Sequence, residues 1–137
     1  MAVTANSIVT PQALQTETAV ATTANSTYTD SPTNSVLLVT AGANGARVIK
    51  ITAIPRATVT ATQLQLYRSP DAGTTKRFFD SEVMAAYTMA QTTQCLPVAF
   101  DYSEDNPLIL EANERIYVAI GVTLASGIVF QAEWYDY

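Results

Sequence analysis

The chain contains no histidine. Imidazole is the usual general base near neutral pH, so its absence excludes Ser-His-Asp and Cys-His nucleophile activation, together with imidazole metal sites. Cysteine occurs once, as Cys95. One thiol and no histidine exclude an internal disulfide framework and a Cys/His zinc centre. Gln94, Leu96 and Pro97 around Cys95 read as a loop entering a strand, with the thiol as a small, semi-buried side chain. A reactive thiol needs a histidine or a cationic niche. Charge is scarce as well: 14% of the 137 residues, against about 25% in an ordinary soluble domain. The seven basic residues (Arg47, Lys50, Arg56, Arg68, Lys76, Arg77 and Arg115) are dispersed, and the net charge is −5. No cluster exists to neutralise a run of phosphates, so neither nucleic acid nor an anionic membrane is expected as a partner. No apolar run approaches the roughly 18 residues of a membrane span. The opening Met1-Ala2-Val3-Thr4-Ala5-Asn6 has no basic region followed by a long apolar one, so no secretory signal and synthesis in the cytoplasm are expected. Gly42-Ala43-Asn44-Gly45 has the wrong length for a phosphate loop, lacks the Lys-Ser/Thr ending and lies between strands.

What replaces the charge is Thr, Ala, Ser, Asn and Gln. A polar but neutral surface is poorly defended against association, which implies that much of it is covered in the working state. The length fits one domain with one core. Residues 1–34 differ from the rest. They contain no Lys or Arg, only Glu17 and Asp30 as acids, and small scattered apolar residues such as Val3, Ile8, Val9, Leu14 and Val20. Such a segment cannot offset its own ordering entropy. It is expected to be an extended or flexible arm whose strand partner lies on a neighbouring subunit or on a larger assembly.

Residues 35–137 are expected to form a single β-sandwich domain. Val36–Val39 suits a buried strand and ends at Ala41-Gly42-Ala43-Asn44-Gly45, where Gly and Asn-Gly supply positive φ. Arg47–Ile54 is a β-branched strand stopped by Pro55. Gln63–Arg68 alternates, Leu inward and Gln outward, as a half-buried antiparallel strand does. Ser69-Pro70-Asp71-Ala72-Gly73 is a turn, with Pro fixing φ and Asp bonding backbone amides. Lys76–Asp80 returns as a strand, and Asp80–Ala90 reads as a helical turn or an irregular crossing. Leu96–Tyr102 and Leu108–Leu110 are strand-like, with turns at Ser103–Pro107 and Glu111–Glu114. Arg115–Val122 and Ile128–Tyr135 read as a hairpin, with Ile128, Phe130, Ala132 and Trp134 sharing one face. About eight short strands at roughly ten-residue intervals make the fold all-β, an antiparallel β-sandwich or jelly roll. The strand order is not encoded legibly.

Three groups of side chains invite a chemical reading. Asp101, Glu104 and Asp105 surround one loop and could offer oxygens to calcium, but the spacing matches no calcium loop, and solvated loop acids are the reading adopted. Glu111, Glu114 or Glu133 could supply a carboxylate pair for glycoside hydrolysis, but nothing brings two of them to the needed separation. The terminal Tyr135-Asp136-Tyr137 suits either an interface or a frayed tail, since a tyrosine ring is apolar and its hydroxyl polar. Phe78, Phe79, Phe100 and Trp134 are expected in the core. No catalytic residue, cofactor or metal site is expected, and the chain reads as a non-enzyme.

The phrases Leu38-Val39-Thr40-Ala41-Gly42-Ala43-Asn44-Gly45-Ala46-Arg47-Val48, Pro55-Arg56-Ala57-Thr58-Val59-Thr60, Glu114-Arg115-Ile116-Tyr117-Val118-Ala119-Ile120-Gly121 and Phe130-Gln131-Ala132-Glu133-Trp134 carry a resemblance. Across about residues 36 to 135 the chain resembles small capsid decoration, or cement, proteins encoded among the head genes of tailed bacteriophages. That resemblance implies a structural virion protein on the capsid exterior. Its partners would be the major capsid protein, whose subunits it bridges, and itself as a homodimer or homotrimer. A tail or fibre component shares the Thr/Ala-rich texture but would be expected to show a shaft repeat. A carbohydrate-binding module would want several exposed aromatics along one face, and Trp134 is the single tryptophan.

Overall fold

The structure, a computed structural model, describes residues 10–137. These contain no helix. They form β1 (Ala13–Ala21), β2 (Val36–Thr40), β3 (Ala46–Pro55), β4 (Thr62–Ser69), β5 (Arg77–Met84), β6 (Val98–Ala99), β7 (Leu108–Leu110), β8 (Arg115–Ile120) and β9 (Ile128–Asp136). The strands build two antiparallel sheets. In the first the order is β1-β9-β3-β6, with β7 also on β3; in the second it is β2-β8-β4-β5. β7 pairs with Ala46–Val48 and β6 with Thr52–Ala53, both on the side of β3 away from β9, so they act as two pieces of one interrupted strand. Counted that way the described residues form eight strands in two sheets of four. Every connection crosses between the sheets except the β4–β5 hairpin, which is the strand order of a jelly roll.

The core lies between the sheets. Leu64 and Leu66 of β4, Ile116, Val118 and Ile120 of β8, and Phe130 of β9 have no exposed surface. The alternation read from Gln63–Arg68 is therefore correct for the leucines, and Ile128, Phe130, Ala132 and Trp134 do share the inner face of β9. The β4–β5 turn follows its sequence chemistry. Asp71 Oδ1 accepts the Thr75 amide at 2.7 Å and the Ser69 hydroxyl at 3.0 Å. Ala72 and Gly73 take the positive φ. At the β2–β3 crossing Gly45 has φ +89°, and a side chain there would meet the Leu110 carbonyl oxygen at 2.6 Å.

Several expectations need correction. β8 and β9 do not form a hairpin: β8 pairs with β2 and β4, β9 with β1 and β3, and residues 121–127 cross between the sheets. Alternation sets which face of each strand is buried and not which strand lies alongside, and a connection of this length is free to cross between the sheets. Asp80–Met84 is neither a helical turn nor a crossing but the second half of β5, paired from Asp80↔Leu66 to Met84↔Thr62. Pairing along β4 outweighs the weak propensity of so short a helix. Of Leu96–Tyr102 only Val98–Ala99 is strand.

The segment expected as a separate arm is divided. Ala13–Ala21 is extended, as expected, but its partner is β9 of the same chain, in nine consecutive pairs from Ala13↔Asp136 to Ala21↔Ile128. Ala19 and Ala21 are buried in the common core. Small apolar residues suffice there because an edge strand needs to fill only one face. Residues 1–9 of the expected arm lie outside the described residues.

Candidate interaction surface

Each sheet has an outer face, and the chain treats the two differently. On the second sheet the outward side chains are Gln65 and Tyr67 of β4, Tyr117 and Ala119 of β8, and Phe78 of β5. Gln65 and Tyr67 are nonetheless 1% and 0% exposed. Residues 22–35, the connection from β1 to β2, cross this face as a strap and bury it. Asn25, itself 2% exposed, anchors the strap. Its backbone amide donates to the Ile120 carbonyl at 2.7 Å. Its side-chain amide nitrogen lies 2.8 Å from both Gln65 Oε1 and the Tyr67 hydroxyl oxygen and 2.9 Å from the Thr27 carbonyl, its two protons shared among the three acceptors. The Gln65 amide in turn donates to the Asn25 carbonyl at 3.3 Å, and the Tyr67 hydroxyl donates within the same cluster. Each buried polar group thereby has a partner, without which it would be costly. Tyr28 and Phe78 then cap Tyr67, with ring centroids 5.8 Å (Tyr28–Phe78) and 5.6 Å (Tyr67–Phe78) apart. Burial raises the Tyr67 hydroxyl above the ordinary tyrosine value, only partly opposed by the Asn25 bond.

The first sheet has no such strap among the described residues; the loop carrying Glu104 reaches only its Arg47 end. Its outer face is a grid of cross-strand rows set by the register of β1, β9, β3 and β7. The rows are Leu14–Tyr135–Arg47–Ile109, then Thr16–Glu133–Lys50, then Thr18–Gln131–Thr52, then Val20–Val129–Ile54. Leu14 and Ile109 flank the first row, 61% and 54% exposed, and Val20, Val129 and Ile54 make up the last. The two rows between hold threonines, a glutamine and one Glu–Lys pair of cancelling charge, and Arg47 in the first row is paired with Glu104. This face, its charges paired, is the sheet face that the strap leaves uncovered among the described residues.

The residues singled out from sequence fall into place around it. Glu104 stands over the Arg47 end of the face: its carboxylate lies 3.6 Å from the Arg47 guanidinium and accepts the Tyr135 hydroxyl at 3.2 Å. Arg47 also donates to the Glu104 carbonyl. The Glu104 charge and that hydrogen bond push the Tyr135 hydroxyl above its ordinary range. Asp101 contributes its backbone carbonyl to Asn106, and among the described residues no group of three or more His, Cys, Asp or Glu could hold a metal ion. The Tyr135–Tyr137 end is held, not frayed: β9 runs to Asp136, and the Tyr137 amide donates to the Gly45 carbonyl at 3.2 Å. Glu133 lies on the open face. Cys95 is half-buried, its Sγ 3.9 Å from the Pro55 carbonyl. Phe100 and Trp134 are core, as expected, whereas Phe78 belongs to the strap side and Phe79 packs half-buried beneath Arg68.

Glu114 is committed elsewhere. Arg68 meets its carboxylate with two hydrogen bonds, at 2.9 and 2.8 Å, and the Glu111 amide donates to it at 2.9 Å. Burial alone raises the Glu114 carboxyl, but the Arg68 and Glu111 hydrogen bonds and the Arg68 charge outweigh it and hold the group below the ordinary glutamate range. The pair ties the β7–β8 turn to the end of β4. Neither it nor the Asn25 cluster is signalled by any local sequence motif, since the partners are 46 and 40 positions apart.

No family model, no curated protein and no solved structure matches the chain.

Proposed function

We propose that this chain is a structural virion protein that binds the outside of a tailed-phage capsid and stabilises it by bridging major capsid subunits, working as a homodimer or homotrimer. The observation that carries this reading is the contrast between the two outer faces. One is sealed by the chain's own strap; the other is left flat, neutral and open across the β1, β9 and β3 strands. A neutral face docks without stripping water from many ions, whose desolvation often exceeds what pairing returns. Jelly rolls recur in viral capsid and lectin domains, which adds the weight of analogy alone. The resemblance in the Leu38–Val48 and Glu114–Gly121 phrases points the same way.

The test is co-sedimentation of the purified protein with phage heads that lack it. The expected result is saturable binding at a stoichiometry set by the major capsid lattice. A charge at the centre of the open face, Gln131→Glu, is expected to weaken binding while leaving the far-UV spectrum unchanged. Binding to tails alone, or in a few copies at one vertex, would replace the reading with a tail or fibre role. Binding of the variant as tight as the parent would remove the open face from the account.

A further inference from the structure

Sheet edges are where a β-protein exposes unpaired backbone, and most edges carry a device that prevents another strand from adding. Four of the edge elements here have one. β2 is five residues long and broken by a register shift between Leu37 and Val39. β5 has a register irregularity at Phe79 and bears Arg77, Asp80 and Glu82. β6 and β7 are two and three residues long. β1 has almost none of this protection. It runs for nine residues in unbroken register, contains no proline or basic residue, and carries a single charge at Glu17. Its first six residues are exposed, and beyond them no strand lies on its outer side among the described residues. The Thr18 amide is met at 3.1 Å by the carboxylate of the adjacent Glu17, an occupant that an incoming carbonyl can replace.

We propose that β1 is a self-pairing edge: two copies of the chain join their β1 strands antiparallel about a two-fold axis at Thr16, making one continuous sheet across the dimer. The register follows from charge. An axis at Glu17 sets the two Glu17 carboxylates against each other, and like charges directly opposite are unfavourable. An axis at Thr16 instead places Glu17 opposite Gln15 of the second copy, whose amide donates to the carboxylate, and does so twice by symmetry. It also sets Leu14 against Thr18 and Ala13 against Ala19. The contact is isologous, so it closes at two copies and consumes the exposed edge of both. The open outer faces of the two first sheets become one larger face. This inference rests on the self-association in the reading above and is independent of attachment to a capsid.

The experiment uses the purified full-length chain. Sedimentation equilibrium is expected to return twice the chain mass. Opposed Cα atoms in an antiparallel pair lie about 4.5–5.5 Å apart, within disulfide range. Thr16→Cys in a Cys95→Ser background is therefore expected to form a covalent dimer on oxidation. Leu14→Cys in the same background is not, because the two copies of position 14 are offset by four residues, about 13 Å. Mixing Leu14→Cys chains with Thr18→Cys chains is expected to give the mixed dimer, a second check should Thr16→Cys fold poorly. Gln15→Glu is expected to weaken the dimer about 3- to 30-fold through two like-charge contacts, and Gln15→Lys to tighten it. A monomer, a trimer, or a dimer in which neither Thr16 nor the Leu14/Thr18 mixture cross-links overturns the proposal; a trimer does so while leaving self-association intact.

Discussion

Replacing Asn25 with alanine tests how the strap is held. The side chain is 2% exposed and shares its two amide protons among Gln65 Oε1, the Tyr67 hydroxyl oxygen and the Thr27 carbonyl, all at 2.8–2.9 Å. Alanine leaves Gln65 Oε1 and the Thr27 carbonyl to share the one Tyr67 proton, and removes the donor to the Tyr67 oxygen. Net values of about 0.5–1.5 kcal/mol per neutral hydrogen bond, with a further penalty for acceptors left dry, sum to about 2–3 kcal/mol. At this chain length that corresponds to a fall in Tm of about 7–10 °C. Urea titration gives the free energy and calorimetry the melting shift. The control is Thr27→Ala. Thr27 serves the cluster through its backbone carbonyl, and its hydroxyl bonds only the exposed Thr29, so the change is expected within about 0.5 kcal/mol. Hydrogen exchange locates the loss. The Asn25 and Ser31 amides, bonded to the Ile120 and Lys76 carbonyls, are expected to exchange faster in Asn25→Ala, while amides of β8 keep their relative protection. A loss below about 0.5 kcal/mol for Asn25→Ala, or equal acceleration throughout the chain, would refute the view that this cluster holds the strap.

Three further perturbations follow from the same contacts. Glu114 has a folded pKa below its unfolded value, so the native state binds fewer protons; its contribution is present above about pH 4.3 and is lost as the pH falls through the depressed value. Glu114→Gln is therefore expected to be less stable at pH 7 and to show a flatter acid limb, read by urea midpoints between pH 7 and 2. Tyr102 is raised by burial, by its hydrogen bond to Asp80 and by the Asp80 charge, and Tyr67 is raised chiefly by burial. Groups raised in the folded state stabilise below their unfolded value and lose that contribution as the pH climbs, so an alkaline absorbance titration is expected to show these two tyrosines ionising only with unfolding. Gly45→Ala forces a side chain at φ +89° to within 2.6 Å of a backbone oxygen and is expected to cost about 2–3 kcal/mol by urea denaturation.

The buried face of Gln63–Arg68 and of Ile128–Tyr135 was legible in the sequence; the sheet each strand joins was not. Alternation in Gln63–Arg68 and Ile128–Tyr135 reports which side chains point to the core, because the strand period is two. It carries no information on which strands lie alongside. A seven-residue connection such as 121–127 can close a hairpin or cross to the opposite sheet, and the sequence of β8 and β9 satisfies both. Gln65 shows the same limit one level up. Its outward direction was readable, yet its burial depends on Asn25 arriving from 40 positions away. Glu114 was legible only as an acid after a turn. Its role as the partner of Arg68 is decided by the β4–β8 pairing that sets Arg68 opposite Ile116, two positions from Glu114.

The low charge of the chain now separates into two causes. Part of the neutral polar content is internal: Asn25, Gln65, Thr62 and Ser69 are buried, and charged residues at these sites would need ionic partners or shifted protonation. That part explains itself within one chain. The remainder lies on the open face, where Thr16, Thr18, Thr52 and Gln131 occupy the middle of the grid. Lysine or glutamate there would cost the fold far less than in the core, since these positions face outward, and would improve solubility. Internal packing therefore does not account for their neutrality. The proposed capsid-binding role would give that neutrality a use, because each charge removed from such a face lowers the desolvation cost of docking. The same reasoning extends along β1 itself, where Glu17 is the one charged residue in nine and sits beside the amide that it occupies.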